Sequence, residues 1–366
     1  MSIHSILLEN IKTHKRTEIP LSRLTVLVGP NSVGKTSVLS AIRYVSRAGI
    51  LRPSLFNERI FNTLRRGEDA CYIRLSFAAD EHLFVGVALR NKNKFPVKID
   101  WRTESDGGSL EIAGILPTPQ NAPEVYSLVD KYVGAAVVLR LRADQMAAPS
   151  ELQIGQKTTA MAADGAGLAA ALGILRLTEP QAFETIVQNL KAIVPSVAAV
   201  HLVKAQFTRK KIDDEDGREF EVEVDGLKLH FDFEGASNIP AEEVSEGTLL
   251  ALGILTAAHA RKAPNILLID DLEHALHPQA QRELIGHLRK ILDAVPGLQI
   301  VATSHSPYLV DAFEPGEVVV FGLRKDGSTA ARCLSEHPDI KGAMEVLSTG
   351  EFLSSAGEEW LLGEPV

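Results

Sequence analysis

The sequence predicts an α/β fold organised around a phosphate-binding loop, and three stretches carry that prediction. The first is Gly29-Pro30-Asn31-Ser32-Val33-Gly34-Lys35-Thr36, which has the spacing G-x-x-x-x-G-K-[ST]. Leu24–Val28 before it reads as a buried strand, and Ser37–Val45 after it reads as a helix. The second is Ile266–Ile269, a fully apolar run that ends in Asp270 and Asp271. The third is Leu298–Ala302, which ends in Thr303-Ser304-His305-Ser306-Pro307. Apolar strands that deliver polar chemistry at their C-terminal ends, with helices between them, describe a parallel sheet layered by helices.

The loop's residue types fit an anion. Gly29 and Gly34 let backbone N–H groups turn toward it with no Cβ in the way. The helix that opens near Lys35 points its positive end at the same place. Lys35 adds a charge for β and γ phosphates, and the Thr36 hydroxyl is placed to ligate Mg²⁺. The acid at the end of Ile266–Ile269 is the second nucleotide signature, with Asp270 holding Mg²⁺ directly or through water. A competing reading makes Asp270 the N-cap of a helix over Leu272–Leu276. His305, on a strand expected beside the acid-bearing one, could sense the γ-phosphate.

Composition narrows the class. The 366 residues are 45% hydrophobic and 23% charged, which is ordinary for a globular protein with a large core. The net charge of −9 argues against a uniformly basic nucleic-acid binder, though not against one basic face. Cys71 and Cys333 are isolated, so neither a disulfide framework nor a metal-spaced cluster is expected. The N-terminus lacks a basic start followed by a long apolar run. The longest apolar stretches, such as Leu249–Ala258, are too short to span a bilayer. A cytoplasmic protein with no membrane partner is the expectation.

Ahead of the loop, Ile3–Asn10 and Thr17–Pro20 read as short strands joined by a polar turn at His14-Lys15-Arg16. Cys71–Ala78 and His82–Leu89 alternate as a hairpin, and Asp106-Gly107-Gly108 signals a turn. Val133–Leu141 reads as a strand and Arg142–Lys157 as a loop. Gly165–Leu177 and Glu179–Ile193 read as helices. Val200–Thr208, Phe220–Val224 and Leu227–Phe233 read as strands around a charged tip. Ser245 is a good N-cap for an apolar helix from Leu249 to about Ala260. With Gly247 it makes a second anion-binding helix start. One chain thus has two such starts but one phosphate loop, and the economical explanation is that the second completes the first in a partner subunit. Gln279–Leu292 is amphipathic. Glu317–Phe321 and Ala330–Leu334 finish a sheet, and 341–366 look helical. No long heptad tract is present.

These motifs, in this order, resemble the ABC-type ATPase heads of the RecF/SMC/Rad50 and OLD-like group, also filed as AAA_21/AAA_15-like ATPases. The resemblance rests on Leu8–Asn10, Val28–Thr36, Ser245-Glu246-Gly247-Thr248, Asp270–Pro278 and Thr303–Pro307. It implies an ABC-type P-loop head with an antiparallel β subdomain and a helical subdomain. The expected division is one lobe over about 1–145, an insertion over about 146–235 and a second lobe over about 236–366. It implies ATP and Mg²⁺ as ligands. Gly29, Pro30, Asn31, Ser32, Val33, Gly34, Lys35, Thr36 and Ser37 would bind phosphate and metal. Asp270 would be the Walker B acid, Asp271 the general base and His305 the switch histidine. Ser245 and Gly247 would reach the γ-phosphate of the other protomer in an ATP-sandwich homodimer. His274–Pro278 would lie in the dimer-contacting loop, and Gln145 is a candidate Q-loop metal contact.

One departure bears on rate. The family usually has Glu after the Walker B Asp, and this chain has Asp271, one methylene shorter. A misplacement of about 1 Å can cost roughly a hundredfold, so slow or partner-stimulated hydrolysis is expected. Glu273 could substitute as base, but its position also suits a structural acid. Nothing after the switch histidine resembles a TOPRIM nuclease. The expected function is an ATP-gated switch in DNA repair or antiphage defence, with a nuclease or other effector on a separate chain. The alternative is an ATPase that regulates a protein partner and binds no nucleic acid. DNA is a further candidate partner through the basic stretches at 52–66 and 90–102, where Phe95 or Trp101 could stack. The competing reading puts those rings in a core and the charges in solvent. A metal site at Glu273, His274 and His277 fits no good zinc spacing.

Overall fold

The computed structural model describes residues 2–46, 65, 68, 70–77, 83–90, 96–102, 107–111, 123–134, 136–152, 161–212, 219–259, 265–273, 278–356 and 359–362. They fall into two compact units that do not follow chain order.

The first unit comprises residues 1–138, 262–273 and 296–366. One of its sheets is antiparallel, with strands β1 (Ser5–Ile11), β2 (His14–Pro20), β4 (Ala70–Ser76), β5 (Phe84–Arg90), β6 (Pro96–Arg102) and β7 (Gly107–Glu111) in the order β2-β1-β4-β5-β6-β7. The other is built on β3 (Leu24–Val28), with β8 (Val137–Leu139), β13 (Ile266–Ile269), β14 (Gln299–Ser304), β15 (Val318–Leu323) and β16 (Thr329–Cys333), in the order β16-β15-β3-β14-β13-β8. From β15 to β13 its neighbours are parallel. Strands β3, β13 and β14 are buried at every residue, as strands of a helix-covered parallel sheet should be. Helix α1 (Lys35–Val45) buries Val38, Leu39 and Ile42 in one core with Ile6 and Leu8 of β1, Leu75 of β4 and Val301 of β14. Helices α2 (Pro123–Tyr132), α8 (Pro307–Val310), α9 (Ile340–Ala343), α10 (Thr349–Ala356) and α11 (Glu359–Leu362) complete this unit.

The second unit comprises residues 139–261 and 274–295. A four-stranded sheet pairs β10 (Val197–Ile212) with β11 (Glu219–Phe233), and β11 with both β12 (Ala236–Pro240) and β9 (Ser150–Glu151). Helices α4 (Leu168–Thr178) and α5 (Pro180–Ile193) pack on this sheet, and α3 (Ala143–Ala147), α6 (Glu246–Ala258) and α7 (Pro278–Ala294) pack with those helices and with one another. Every residue of α6 from Gly247 to Ala258 is buried, as expected of a helix apolar all round.

Several local expectations change. Arg142–Lys157 is not all loop, because Arg142 opens the short helix α3 and Ser150–Glu151 add an edge to β11. Gly107 and Gly108 lie in β7, paired to Arg102 and Trp101, so this glycine pair is strand and not turn. The polar turn is displaced: the chain reverses at Lys12–Thr13, with Lys12 at φ 50, and His14 opens β2 fully buried. A short basic triplet reads as solvent-facing from composition, but its first residue sits under a loop that is near only in space. Val200–Thr208 extends to a 16-residue strand, and Phe220–Phe233 is continuous because Asp225-Gly226 stays paired with Ala205-Gln206. Trp101 packs against the core, which favours the buried-ring reading over base stacking. Phe95, the charged tip 213–218, and all of 52–66 except Arg65 lie outside the described residues.

Candidate nucleotide site

The parallel register brings three strand ends to one edge. Leu27 of β3 is level with Thr303 of β14, and Ala302 of β14 is level with Ile269 of β13. Strand β14 therefore lies between the loop-bearing strand and the acid-bearing strand. The glycine loop, Asp270-Asp271 and Thr303–His305 all emerge together, at the carboxyl ends where α/β sheets bind ligands.

The loop is shaped by its glycines. Gly29 has φ 142, and a Cβ there would lie 2.3 Å from the Phe321 carbonyl oxygen. Gly34 has φ 106 and caps α1. Between them Asn31 and Ser32 are exposed, Val33 is buried, and Ser32 takes φ 66. Lys35 is only 5% exposed. Its ammonium donates to the carbonyls of Gly29 and Pro30, both at 2.7 Å. Burial pushes Lys35 down to about 8, against the opposing pull of Asp271, Glu273 and Asp270. The Ser37 N–H donates to the Gly34 carbonyl, and the Ser37 side chain is buried.

Asp270 is held by two hydroxyls, while 274–276 of the helix that the competing reading has it cap lie outside the described residues. Its Oδ1 accepts from the Thr36 hydroxyl at 3.1 Å and from the Thr303 hydroxyl at 2.8 Å. Thr303 in turn accepts from the Asp271 N–H at 2.8 Å, and its carbonyl accepts from Leu272 N–H. One threonine so fixes both acids, with Asp271 held at φ 54, a left-handed turn that Asp tolerates. The His305 ring lies between Lys35 and Asp271: Nδ1 is 3.5 Å from Lys35 Nζ and Nε2 is 3.9 Å from Asp271 Oδ1. A charged Lys35 can only donate, so Nδ1 accepts and the proton on Nε2 faces Asp271. Glu273 Oε1 accepts from the His305 backbone N–H. Three carboxylates and one ammonium leave a surplus of negative charge beside the Thr36 hydroxyl, which suits a hard divalent cation held with phosphate. Among the described residues no cluster of three acids, histidines or cysteines forms a closed metal cage; the Thr36 hydroxyl and the Asp270 carboxylate, 3.1 Å apart, are the groups that would hold such a cation beside phosphate.

The other expected residues lie in the second unit. Ser245 caps α6, accepting from Thr248 N–H at 3.3 Å with the two hydroxyls 2.7 Å apart. Gly247 is buried in the first turn of that helix. Gln145 lies on α3, its amide donating to Asp144 at 3.1 Å. His274 and His277 lie outside the described residues. Two residues the sequence did not single out touch the loop: His14 Nε2 lies 3.1 Å from the Gly34 carbonyl oxygen, and Thr329 donates to the Val33 carbonyl at 2.8 Å. Thr329 is 296 positions from Val33, so no local pattern could reveal it.

The fold and these strand ends define a P-loop nucleoside-triphosphatase. The family model "AAA domain, putative AbiEii toxin, Type IV TA system" matches residues 178–311, and the model "AAA ATPase domain" matches residues 1–109. Together they take in the glycine loop, the Ser245 motif, both acids and His305. The Septu protein PtuA of Bacillus thuringiensis is 39% identical over 88 residues, 24% of this chain and 21% of that protein. The DNA replication and repair protein RecF of Pseudomonas syringae pv. syringae is 27% identical over 133 residues, 36% of this chain and 35% of that protein. The matched span is thus about a fifth to a third of each relative's length. A solved SMC head bound to the C-winged helix domain of ScpA aligns with 92% of this chain and 99% of its own, with TM-score 0.56 and 15% identity. These matches, with the fold, support an ABC-type ATPase head of the RecF/SMC group. Among the described residues, no helix is long and apolar enough to cross a membrane.

Proposed function

We propose that this chain binds ATP with Mg²⁺ on the loop Gly29–Ser37, hydrolyses it slowly, and acts as an ATP-gated dimeric switch. The observation that carries the reading is the pairing of Thr36 with Asp270 at 3.1 Å beside Lys35, the two expected metal ligands together with the phosphate cation. Lys35 would leave the Gly29 and Pro30 carbonyls for the β and γ phosphates. Asp271 would orient the attacking water, and His305 would exchange its contact with Lys35 for the γ-phosphate. Glu273, through the His305 backbone, would set the reach of that ring and not act as base. Ser245 and Gly247 of a second copy would close the site in an ATP sandwich, using the N-terminus of α6. The effector would be a separate protein. The match to Septu protein PtuA supports antiphage defence as the setting, and the RecF matches support DNA repair.

Mass by light scattering, with and without ATP–Mg²⁺, and phosphate release from the same sample test the reading. A monomer that becomes a stable dimer with slow turnover is the expected result. Ser245→Arg should bind ATP as a monomer and fail to dimerise. Dimerisation by that variant at wild-type ATP concentrations would rule out the sandwich.

A further inference from the structure

Two side chains hold carbonyls of the glycine loop other than the two that Lys35 Nζ binds. Thr329, the first residue of β16, donates to the Val33 carbonyl at 2.8 Å. His14, the first residue of β2, lies with Nε2 3.1 Å from the Gly34 carbonyl oxygen. A carbonyl only accepts, so the ring proton is on Nε2. The two carbonyls belong to consecutive peptide planes. A peptide is planar and trans, so its N–H points opposite to its C=O. Holding the Val33 carbonyl toward β16 therefore turns the Gly34 N–H to the far side. Holding the Gly34 carbonyl toward β2 does the same for the Lys35 N–H. Two successive N–H groups, with Gly34 at φ 106, make a concave anion seat.

We propose that His14 and Thr329 are positioning residues for the nucleotide phosphates, fixing the two peptide planes whose N–H groups face the anion. The inference rests on the loop being the nucleotide site. Three observations support it. His14 is fully buried, yet its Nδ1 has no hydrogen-bond partner among the described residues. A ring kept for packing alone, edge-on to Phe321 at 6.4 Å between centroids, would do better as Phe, which buries no orphan acceptor. The two grips are tied together, because the Thr13 and Thr329 hydroxyls lie 2.7 Å apart and the Thr13 carbonyl accepts from Thr329 N–H. Finally, a Cβ on Gly34 would come within 2.4 Å of His14 Nε2 and 2.9 Å of Thr13 Oγ1, so the approach uses the space that glycine leaves.

The test is an equilibrium titration of the full chain with a fluorescent ADP and Mg²⁺, for wild type, His14→Phe, His14→Gln, Thr329→Val and Lys35→Ala. Melting of each nucleotide-free protein is followed in parallel. Loss of either donor is expected to weaken ADP binding about tenfold, the equivalent of one hydrogen bond. His14→Gln, whose amide nitrogen can reach the same carbonyl, should recover most of that loss. Wild-type affinity in both His14→Phe and Thr329→Val, with Lys35→Ala unable to bind, overturns the grip and leaves the site reading intact. An affinity loss that His14→Gln does not recover, in step with a lowered melting temperature, assigns His14 to structure alone and overturns it too. If wild type and Lys35→Ala are equally unable to bind, the site reading fails and takes the grip with it. Should His14→Phe not fold, Thr329→Val against wild type decides.

Discussion

At the scale of single residues, two shifted groups sit at the loop and make opposite demands on pH. Burial brings Lys35 down to about 8, and phosphate oxygens favour its charged form. Nucleotide affinity is therefore expected to be level below pH 8 and to fall above it, by up to about tenfold per pH unit. A series of dissociation constants from pH 7 to 9.5 checks this, and a flat series would show Lys35 charged throughout. His14 is pushed down to about 4, chiefly by burial and slightly by Lys12, with the Gly34 hydrogen bond opposing. An unfolded chain protonates this residue near 6.5, whereas the folded one resists until about 4, so in between the unfolded state holds the extra proton. The contribution to stability is complete above pH 6.5 and shrinks on acidification, by about 3 kcal/mol once pH reaches 4. Denaturant unfolding across pH 4 to 7 measures it, and His14→Phe should lose this part of the slope.

At the scale of elements, β14 does the organising. It is flanked by β3 and β13, so whatever its last residues hold is set against both the glycine loop and the acids. Thr303 ties Asp270 Oδ1 and Asp271 N–H with one hydroxyl and is 1% exposed. Thr303→Val keeps the shape and removes one hydrogen bond from the buried Asp270 carboxylate and one from the Asp271 N–H. A loss of about 1–3 kcal/mol in stability is expected, with the drop in nucleotide affinity relative to wild type larger in the presence of Mg²⁺ than in its absence. An equal drop with and without Mg²⁺ would show that Thr303 does not shape the metal side of the site. The same element engages Glu273, whose Oε1 accepts from the backbone N–H of the residue that follows β14.

At the scale of the whole molecule, the Walker-type residues belong to one compact unit and the Ser245 motif to the other. In the proposed ATP-gated switch, the lifetime of the ATP-bound state would be set by how well Asp271 works as general base. Asp271→Glu restores the longer carboxylate. Phosphate release is expected to rise by about ten- to a hundredfold, and the ATP-bound dimer to become correspondingly shorter-lived by light scattering. Unchanged turnover would mean that chemistry is not the slow step, or that Asp271 is already well placed.

The sequence by itself determined the chemistry that travels in short contiguous strings. The glycine loop, the acid pair after Ile266–Ile269 and the Thr303–Pro307 string each combine an apolar strand with its polar end, and both signals are local. It also determined the parallel core, because β3, β13 and the middle of β14 are short, mostly apolar runs. What only the tertiary structure decided is which distant residues meet those strings. His14 looked like part of a solvent-facing turn, yet it lies under Gly34. Thr329 looked like one more strand residue, yet it holds Val33. Glu273 looked like one more acid after the strand, yet its Oε1 accepts from the His305 N–H. The physical reason is common to all three. Hydrophobic periodicity fixes which face of an element is buried, but a hydrogen bond depends on the register between elements, and that is set by the packing of the whole core.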